Sequence, residues 1–164
     1  MSAQPLRILF VCMGNICRSP AGEGVLRAQV AAAGLAGRVE IDSAGTIGFH
    51  AGQPADRRMR TAAARRGYEL TSRARQVTPA DLTRFDLILT MDEDNRRGVL
   101  ALARDEGQRA RVRAFCEFCQ THADTEVPDP YYGGEQGFEH VLDLLEDGCA
   151  GVLTWTRQRL ELGE

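Results

Sequence analysis

The sequence predicts an α/β fold: a three-layer sandwich in which a four-stranded parallel sheet carries helices on both faces. Three observations lead there. Four short apolar runs, at residues 7–12, 39–43, 85–91 and 111–115, are separated by stretches of helical spacing. The first and third runs are almost continuously apolar, as in strands covered on both faces. Strands and helices alternate along the chain, the order that yields a parallel sheet. The 164 residues suit a single domain, 1–164, with a sizeable core.

Taken in order, the first strand ends on Cys12. A helix opens at Ser19-Pro20, where Ser is a favoured cap and Pro fits the first turn, and its Ala-rich sequence runs to about residue 33, before Gly34. After the second strand, a helical pattern covers residues 54–66 and stops at Gly67. The third strand leads into a helix that begins near Asp92, and the last helix runs from about residue 136 to 160. The longest irregular stretch, 117–134, is rich in Pro, Gly and Asp. A loop of that length in a compact domain is more often functional than filler. No internal repeat, low-complexity tract or linker interrupts the chain.

Composition removes several function classes. The net charge is −3, which does not point to nucleic acid or to an anionic membrane as partner. No apolar run approaches the length of a membrane span, and residues 8–13 are too short for a signal-peptide core, so a soluble, cytoplasmic protein is expected. All 20 basic residues are Arg; without Lys there is neither Schiff-base chemistry nor a Walker A site. The five Cys (12, 17, 116, 119 and 149) are an odd number and argue against a disulfide framework.

The chemistry concentrates in "VCMGNICRSP", where the first strand gives way to the first helix. In parallel α/β sheets ligands bind beyond the carboxyl ends of strands. A loop running into a helix N-terminus aims backbone N–H groups and the helix dipole at one spot, which suits an anion. Gly14 and Asn15 tolerate the left-handed angles of a tight loop. Arg18 adds a planar fork for two phosphate oxygens. Cys12 then lies at the base of a positive nest as a nucleophile aimed at phosphorus, with Ser19 placed to hydrogen-bond the sulfur. The loop Met13, Gly14, Asn15, Ile16, Cys17, Arg18 and Ser19 is thus a phosphate cradle. It needs an acid for the leaving oxygen, and Asp129 in "VPDPYYGG", stiffened by a proline on each side, is the choice. Tyr131 and Tyr132 supply walls for an aromatic ring. Against this stand the ordinary roles: a strand-end Cys as a small core residue, an Asp between prolines as a turn former, and paired Tyr as packing.

"VCMGNICRSP" together with "DPYYG" resembles the low-molecular-weight protein tyrosine phosphatases, and "DSAGT", "ARQVT" and "FDLILTMDEDN" follow that family's order and spacing over nearly the whole chain. The resemblance implies a two-step reaction. Cys12 attacks phosphotyrosine to form a cysteinyl-phosphate, Asp129 serves as acid and then base, and Arg18 holds phosphate in both steps. It implies that Asn15 shapes the loop with Ser19 and Ser43, that Phe49, Tyr131 and Tyr132 line the entrance, and that neither metal nor organic cofactor takes part. The implied partners are a phosphotyrosine-containing protein, a tyrosine kinase among the options, and inorganic phosphate or another oxyanion in the loop; a monomer or weak self-association is expected. Ile16 resembles the tyrosine-directed members, since relatives acting on phosphoarginine tend to carry Thr there. Two positions depart from the pattern. Ser72 stands where the family often has a His that braces the loop Asn, so either a less rigid loop or a substituting water is expected. Phe49 stands where many members have Trp.

Several features remain outside this picture. In the family, a cysteine at the position of Cys17 can form a disulfide with the nucleophile; here it is that redox guard or a passive thiol. "CEFCQTH" offers Cys116, Cys119 and His122 but no fourth ligand at sensible spacing for zinc. Arsenate reductases of the same fold relay a disulfide to further cysteines, which makes a thiol-dependent arsenate reductase the rival enzyme. Seven Arg between 57 and 75 form a solvated face or a docking surface for acidic phosphoproteins. With the missing His at 72, they also motivate a weakly active phosphoprotein-binding module. His50, His122 and His140 read as surface residues.

Overall fold

A computed structural model describes residues 4–131 and 133–162. Strands β1 (Leu6–Cys12), β2 (Val39–Gly45), β3 (Leu87–Thr90) and β4 (Val112–Ala114) form one parallel sheet in the order β2-β1-β3-β4. The helices are α1 (Arg18–Ala32), α2 (Arg57–Arg65), α3 (Asp81–Arg84), α4 (Glu93–Leu100), α5 (Glu106–Arg111) and α6 (Glu135–Leu162). The two-residue period of β1 divides the core. Ile8, Phe10 and Cys12 join the side chains of α1, α2 and α6 on one face; Leu9 and Val11 join those of α3 and α4 on the other. The predicted three-layer sandwich is therefore the observed one. Among the described residues, no helix is long and apolar enough to cross a membrane.

The differences from expectation are local. Ser19 does not cap α1: the cap position is Cys17, without a side-chain bond, because the Ser19 hydroxyl is drawn to Cys12 and Ala44 instead. The helix expected over 54–66 starts at Arg57, because the Asp56 carboxylate accepts from the N–H groups of Arg58 and Met59. β4 stops at Ala114, where a 3-10 turn, Phe115–Phe118, tucks two aromatic rings under α6. Glycines in α6 make room for it: a Cβ at Gly148 would meet the Phe115 ring, and one at Gly151 the Phe118 carbonyl. The short helices α3 and α5 lie between the predicted elements; Asp105 caps α5 through the N–H of Gln108.

The long loop after this turn is fastened to α6 by His140 of α6 to Asp124 at 3.1 Å and, at its start, by the carboxylate of Asp147. Asp147 accepts the backbone N–H groups of Gln120, Thr121 and His122 and contacts the His122 ring at 2.8 Å. Burial alone would raise its pKa, but these donors prevail and hold the carboxyl well below the usual range. A depressed folded-state pKa means that the unfolded chain binds the proton more readily. The stabilisation is thus complete above about pH 4 and is lost as pH falls below it. Asp147→Asn should lower the urea midpoint at pH 7, with the gap to the parent protein narrowing by pH 3. An equal gap at both pH values would remove this carboxylate as the source.

Candidate active site

The site sits at the carboxyl end of β1, the innermost position that an α/β sheet offers a ligand. Cys12 is buried there, paired in register with Gly45 of β2. The close approach of the two strands requires that glycine: a Cβ at residue 45 would lie 2.6 Å from the Met13 carbonyl oxygen. Three of the loop's carbonyls are engaged from outside it. Cys12, Met13 and Ile16 accept from the N–H groups of Thr46, Ile47 and Asp56 at 2.9, 3.1 and 2.7 Å. In a planar trans peptide the following N–H points the opposite way, so those of Met13, Gly14 and Cys17 turn from these partners.

Asn15 holds the curl. Its φ is +57°, left-handed, a conformation that Asn accepts more readily than most residues. It is 2 % exposed, and its amide is fully used. Oδ1 accepts the Arg75 N–H at 3.0 Å, while Nδ2 donates to Ser19 Oγ at 2.8 Å and to Ser43 Oγ at 3.0 Å. The direction of these bonds propagates. Because Ser43 receives a hydrogen from Asn15, its own goes to Glu23 Oε1 at 2.7 Å. Because Ser19 receives one, its own is available to Cys12 Sγ at 3.0 Å, with the Ala44 carbonyl, at 3.3 Å, the competitor.

Ser72 enters this network one step further out than the resemblance implied. Its hydroxyl bonds to Glu23, not to Asn15. Glu23 is 5 % exposed. Burial raises its pKa, while bonds from Ser43 and Ser72 and the charge of Arg27 pull it back. The expected loss of rigidity has a physical answer: the Arg75 backbone takes up the Asn15 carbonyl. Arg75 is itself fixed by ion pairs to Asp81 (3.0 Å) and Asp42 (3.1 Å).

Arg18 is 3 % exposed and needs counter-charge. Asp92 supplies it at 2.6 Å, the Val127 carbonyl accepts a second bond at 3.1 Å, and Asp129 lies 3.7 Å away. Burial works against the guanidinium's charge, but Cys12, Asp92 and Asp129 outweigh it and raise its pKa further. Val127 also donates its N–H to the Met91 carbonyl at 2.8 Å, which pins the long loop two residues before Asp129. The other Asp129 oxygen accepts the Tyr131 N–H at 3.0 Å. Burial, and then the carboxylate of Asp56, push the Cys17 thiol up, so Cys17 stays protonated.

These groups line one cavity of about 240 Å³. Cys12, Cys17, Arg18 and Asp129 border it, with Met13, Gly14 and Ile16 of the loop and Phe49 and Tyr131 as predicted walls. Phe49 is 81 % exposed, an apolar surface with room for an aromatic partner. Tyr132 lies outside the described residues. Ile47 and His50 belong to the wall as well. The His50 ring stands edge-on to Phe49 at 4.9 Å and bonds to Gln53, so it is not the plain surface residue expected. Cys116 and Cys119 do not line this cavity. Their thiols hydrogen-bond to each other, and Cys119 also reaches the Leu144 carbonyl. Among the described residues no group of three or more His, Cys, Asp or Glu is placed to hold a metal.

A strand-end cysteine, a buried arginine six positions later and a carboxylate thus border one cavity at the end of a parallel sheet. The family follows: the sequence matches the model described as low molecular weight phosphotyrosine protein phosphatase over residues 7–161, and the chain belongs to that family. It is 44 % identical to a low molecular weight protein-tyrosine-phosphatase of Streptomyces coelicolor, over 94 % of this chain and 96 % of that one. A protein tyrosine phosphatase from Entamoeba histolytica, solved with Hepes in the active site, is 44 % identical and superposes with a TM-score of 0.90, covering 96 % of this chain and 98 % of that one. Wzb of Vibrio vulnificus, solved in complex with benzylphosphonate, is 27 % identical with a TM-score of 0.77, covering 93 % and 98 %.

Asn15→Ala removes three hydrogen bonds and places a Cβ residue at φ +57° without the compensating amide. Inorganic phosphate should bind at least about tenfold more weakly, the cost of one strained residue or one lost buried bond. Asn15→Gly, which relieves the strain of the Ala variant but leaves the three bonds lost, should recover only part. Equal phosphate affinity in all three proteins, read by competition with a chromogenic substrate, would contradict the bracing role.

Proposed function

We propose that this chain is a protein-tyrosine phosphatase in which Cys12, Arg18 and Asp129 carry out hydrolysis of phosphotyrosine. The observation that carries the reading is the meeting of a thiol, a buried guanidinium and a carboxylate at one small cavity. Phosphoryl transfer makes little demand for covalent chemistry beyond the nucleophile; positioning and charge stabilisation dominate. Arg18 and the loop N–H groups hold the phosphate oxygens. Cys12 Sγ attacks phosphorus as the bond to the phenolic oxygen breaks, and Asp129 delivers a proton to that oxygen. Water then attacks the cysteinyl-phosphate while Asp129 takes its proton. The sulfur leaves as thiolate, helped by the hydrogen that Asn15 directs from Ser19.

Supporting the substrate class, Phe49, Tyr131 and Ile16 offer apolar surface to a phenyl ring at the cavity mouth. Hepes, a sulfonate, and benzylphosphonate, each in the structure of a relative, are anions of the shape expected here. The partner is thus a phosphotyrosyl protein, a tyrosine kinase being one such substrate, and free phosphate occupies the loop after turnover. Five free thiols fit a reducing, cytoplasmic setting, and one domain acting as a monomer or a weak self-associate suffices for the chemistry.

Hydrolysis of p-nitrophenyl phosphate should proceed in EDTA, be blocked by vanadate and vanish in Cys12→Ser. Asp129→Ala should slow phenyl phosphate, with its poor leaving group, far more than p-nitrophenyl phosphate. Equal slowing of both would remove Asp129 as the acid, and full activity in Cys12→Ser would sink the whole reading.

A further inference from the structure

A second cavity, of about 480 Å³, lies between α2 and the start of α6, bordered by Arg57, Arg58, Thr61, Arg65, Glu135 and Phe138 among others. It adjoins the catalytic cavity through Arg58. That guanidinium donates to the Tyr131 carbonyl at 2.8 Å, lies 5.4 Å over the Tyr131 ring and 4.9 Å over the Phe138 ring, and so joins a wall of one cavity to the lining of the other. A polypeptide whose phosphotyrosine ring stands against Tyr131 meets this groove next to it.

The lining has a repeat. Arg57, Thr61 and Arg65 follow each other at four-residue intervals on α2 and so fall on one helix face, a cation, a hydroxyl and a cation about 6 Å apart along the axis. An extended peptide places side chains of one side about 6.7 Å apart, close to that interval. The charges are available. Among the described residues Arg57 makes no ion pair, and Arg65, 60 % exposed, has only Glu135 at 3.9 Å, itself 86 % exposed. Such a solvated pair is readily exchanged for another carboxylate. Glu139 is already occupied by Arg66 at 2.9 Å, and Arg58 by Asp56. Phe138 and Ala62, both almost fully buried, form the floor between the charges.

We propose that this groove binds an extended acidic segment of the substrate, whose carboxylates pair with Arg57 and Arg65 while the adjoining phosphotyrosine occupies the Cys12 cavity. The inference rests on the phosphotyrosine reading of that cavity and adds a preference for acidic sequence beside the target residue. The acidic occupant is a peptide and not a nucleic acid: alternate side chains let a peptide turn carboxylates to α2 and neutral groups to Glu135 and Glu139, whereas a nucleic-acid backbone is charged at every unit.

The test compares phosphotyrosyl peptides carrying Glu on one flank, on the other, or Gln throughout, with p-nitrophenyl phosphate as the small control. The parent enzyme should favour one Glu-flanked peptide over the Gln peptide by about three- to tenfold in kcat/KM, the gain expected of two exposed ion pairs, and less at high salt. The variant Arg57→Glu/Arg65→Glu should lose or invert that preference while its p-nitrophenyl phosphate kinetics stay within about twofold. Equal hydrolysis of Glu and Gln peptides by the parent, or an acidic preference that survives in the variant, overturns the groove alone. A preference that appears only when phosphoserine replaces Glu overturns the carboxylate assignment. Failure to hydrolyse any of these substrates overturns the phosphotyrosine reading and the groove with it.

Discussion

The architecture turns on a buried positive charge. Arg18 belongs to the first turn of α1, yet its guanidinium is almost fully enclosed, and an uncompensated charge in that position would be strongly destabilising. Compensation comes from three groups on two separate parts of the chain. Asp92 follows β3 and opens α4, Val127 lies in the long loop, and Asp129 follows two residues later. The parallel sheet makes this convergence possible, because all its strands deliver their following loops to the same edge. Packing of the fold and placement of the phosphate clamp are thus one problem with one solution.

The loop around Cys12 shows how a hydrogen-bond network can carry direction as well as strength. A serine hydroxyl has a single hydrogen, and two serines here have theirs assigned by the same asparagine amide. The left-handed backbone at Asn15 is a cost accepted at a functional site and repaid by surrounding bonds. The arrangement extends through Ser43 to Glu23 and Ser72, so residues far from the phosphate help to decide where a proton near the sulfur resides.

Much of this was legible in the sequence, and the remainder was hidden for identifiable reasons. Strand positions followed from apolar runs, and the spacing from Cys12 to Arg18 announced an anion loop. Asp92 was invisible as a functional residue because its local role is genuine: one carboxylate oxygen caps α4 through the Asn95 N–H while the other meets Arg18. Val127 acts through its backbone, which leaves no trace in side-chain chemistry. Ser19 read as a helix cap because a serine before a proline usually is one; its hydroxyl had a better partner in tertiary space. Ser72 read as a missing brace because a single position shows what is lost and not that the Arg75 backbone supplies it. The four-residue α3 lacks the length for a periodic signal.

The double tether at Val127 has a mechanical consequence. Its N–H is held by Met91 and its carbonyl by Arg18, so both hydrogen-bonding groups of one peptide residue are spent on the body of the protein. A lid needs a hinge whose backbone can swing free, and there is none at this point. The segment that brings Asp129 to the cavity is therefore tied to the body of the protein two residues before the carboxylate. Beyond that tether, the rim of the cavity is made by side chains, Phe49, His50 and Tyr131 among them, the first of them largely exposed.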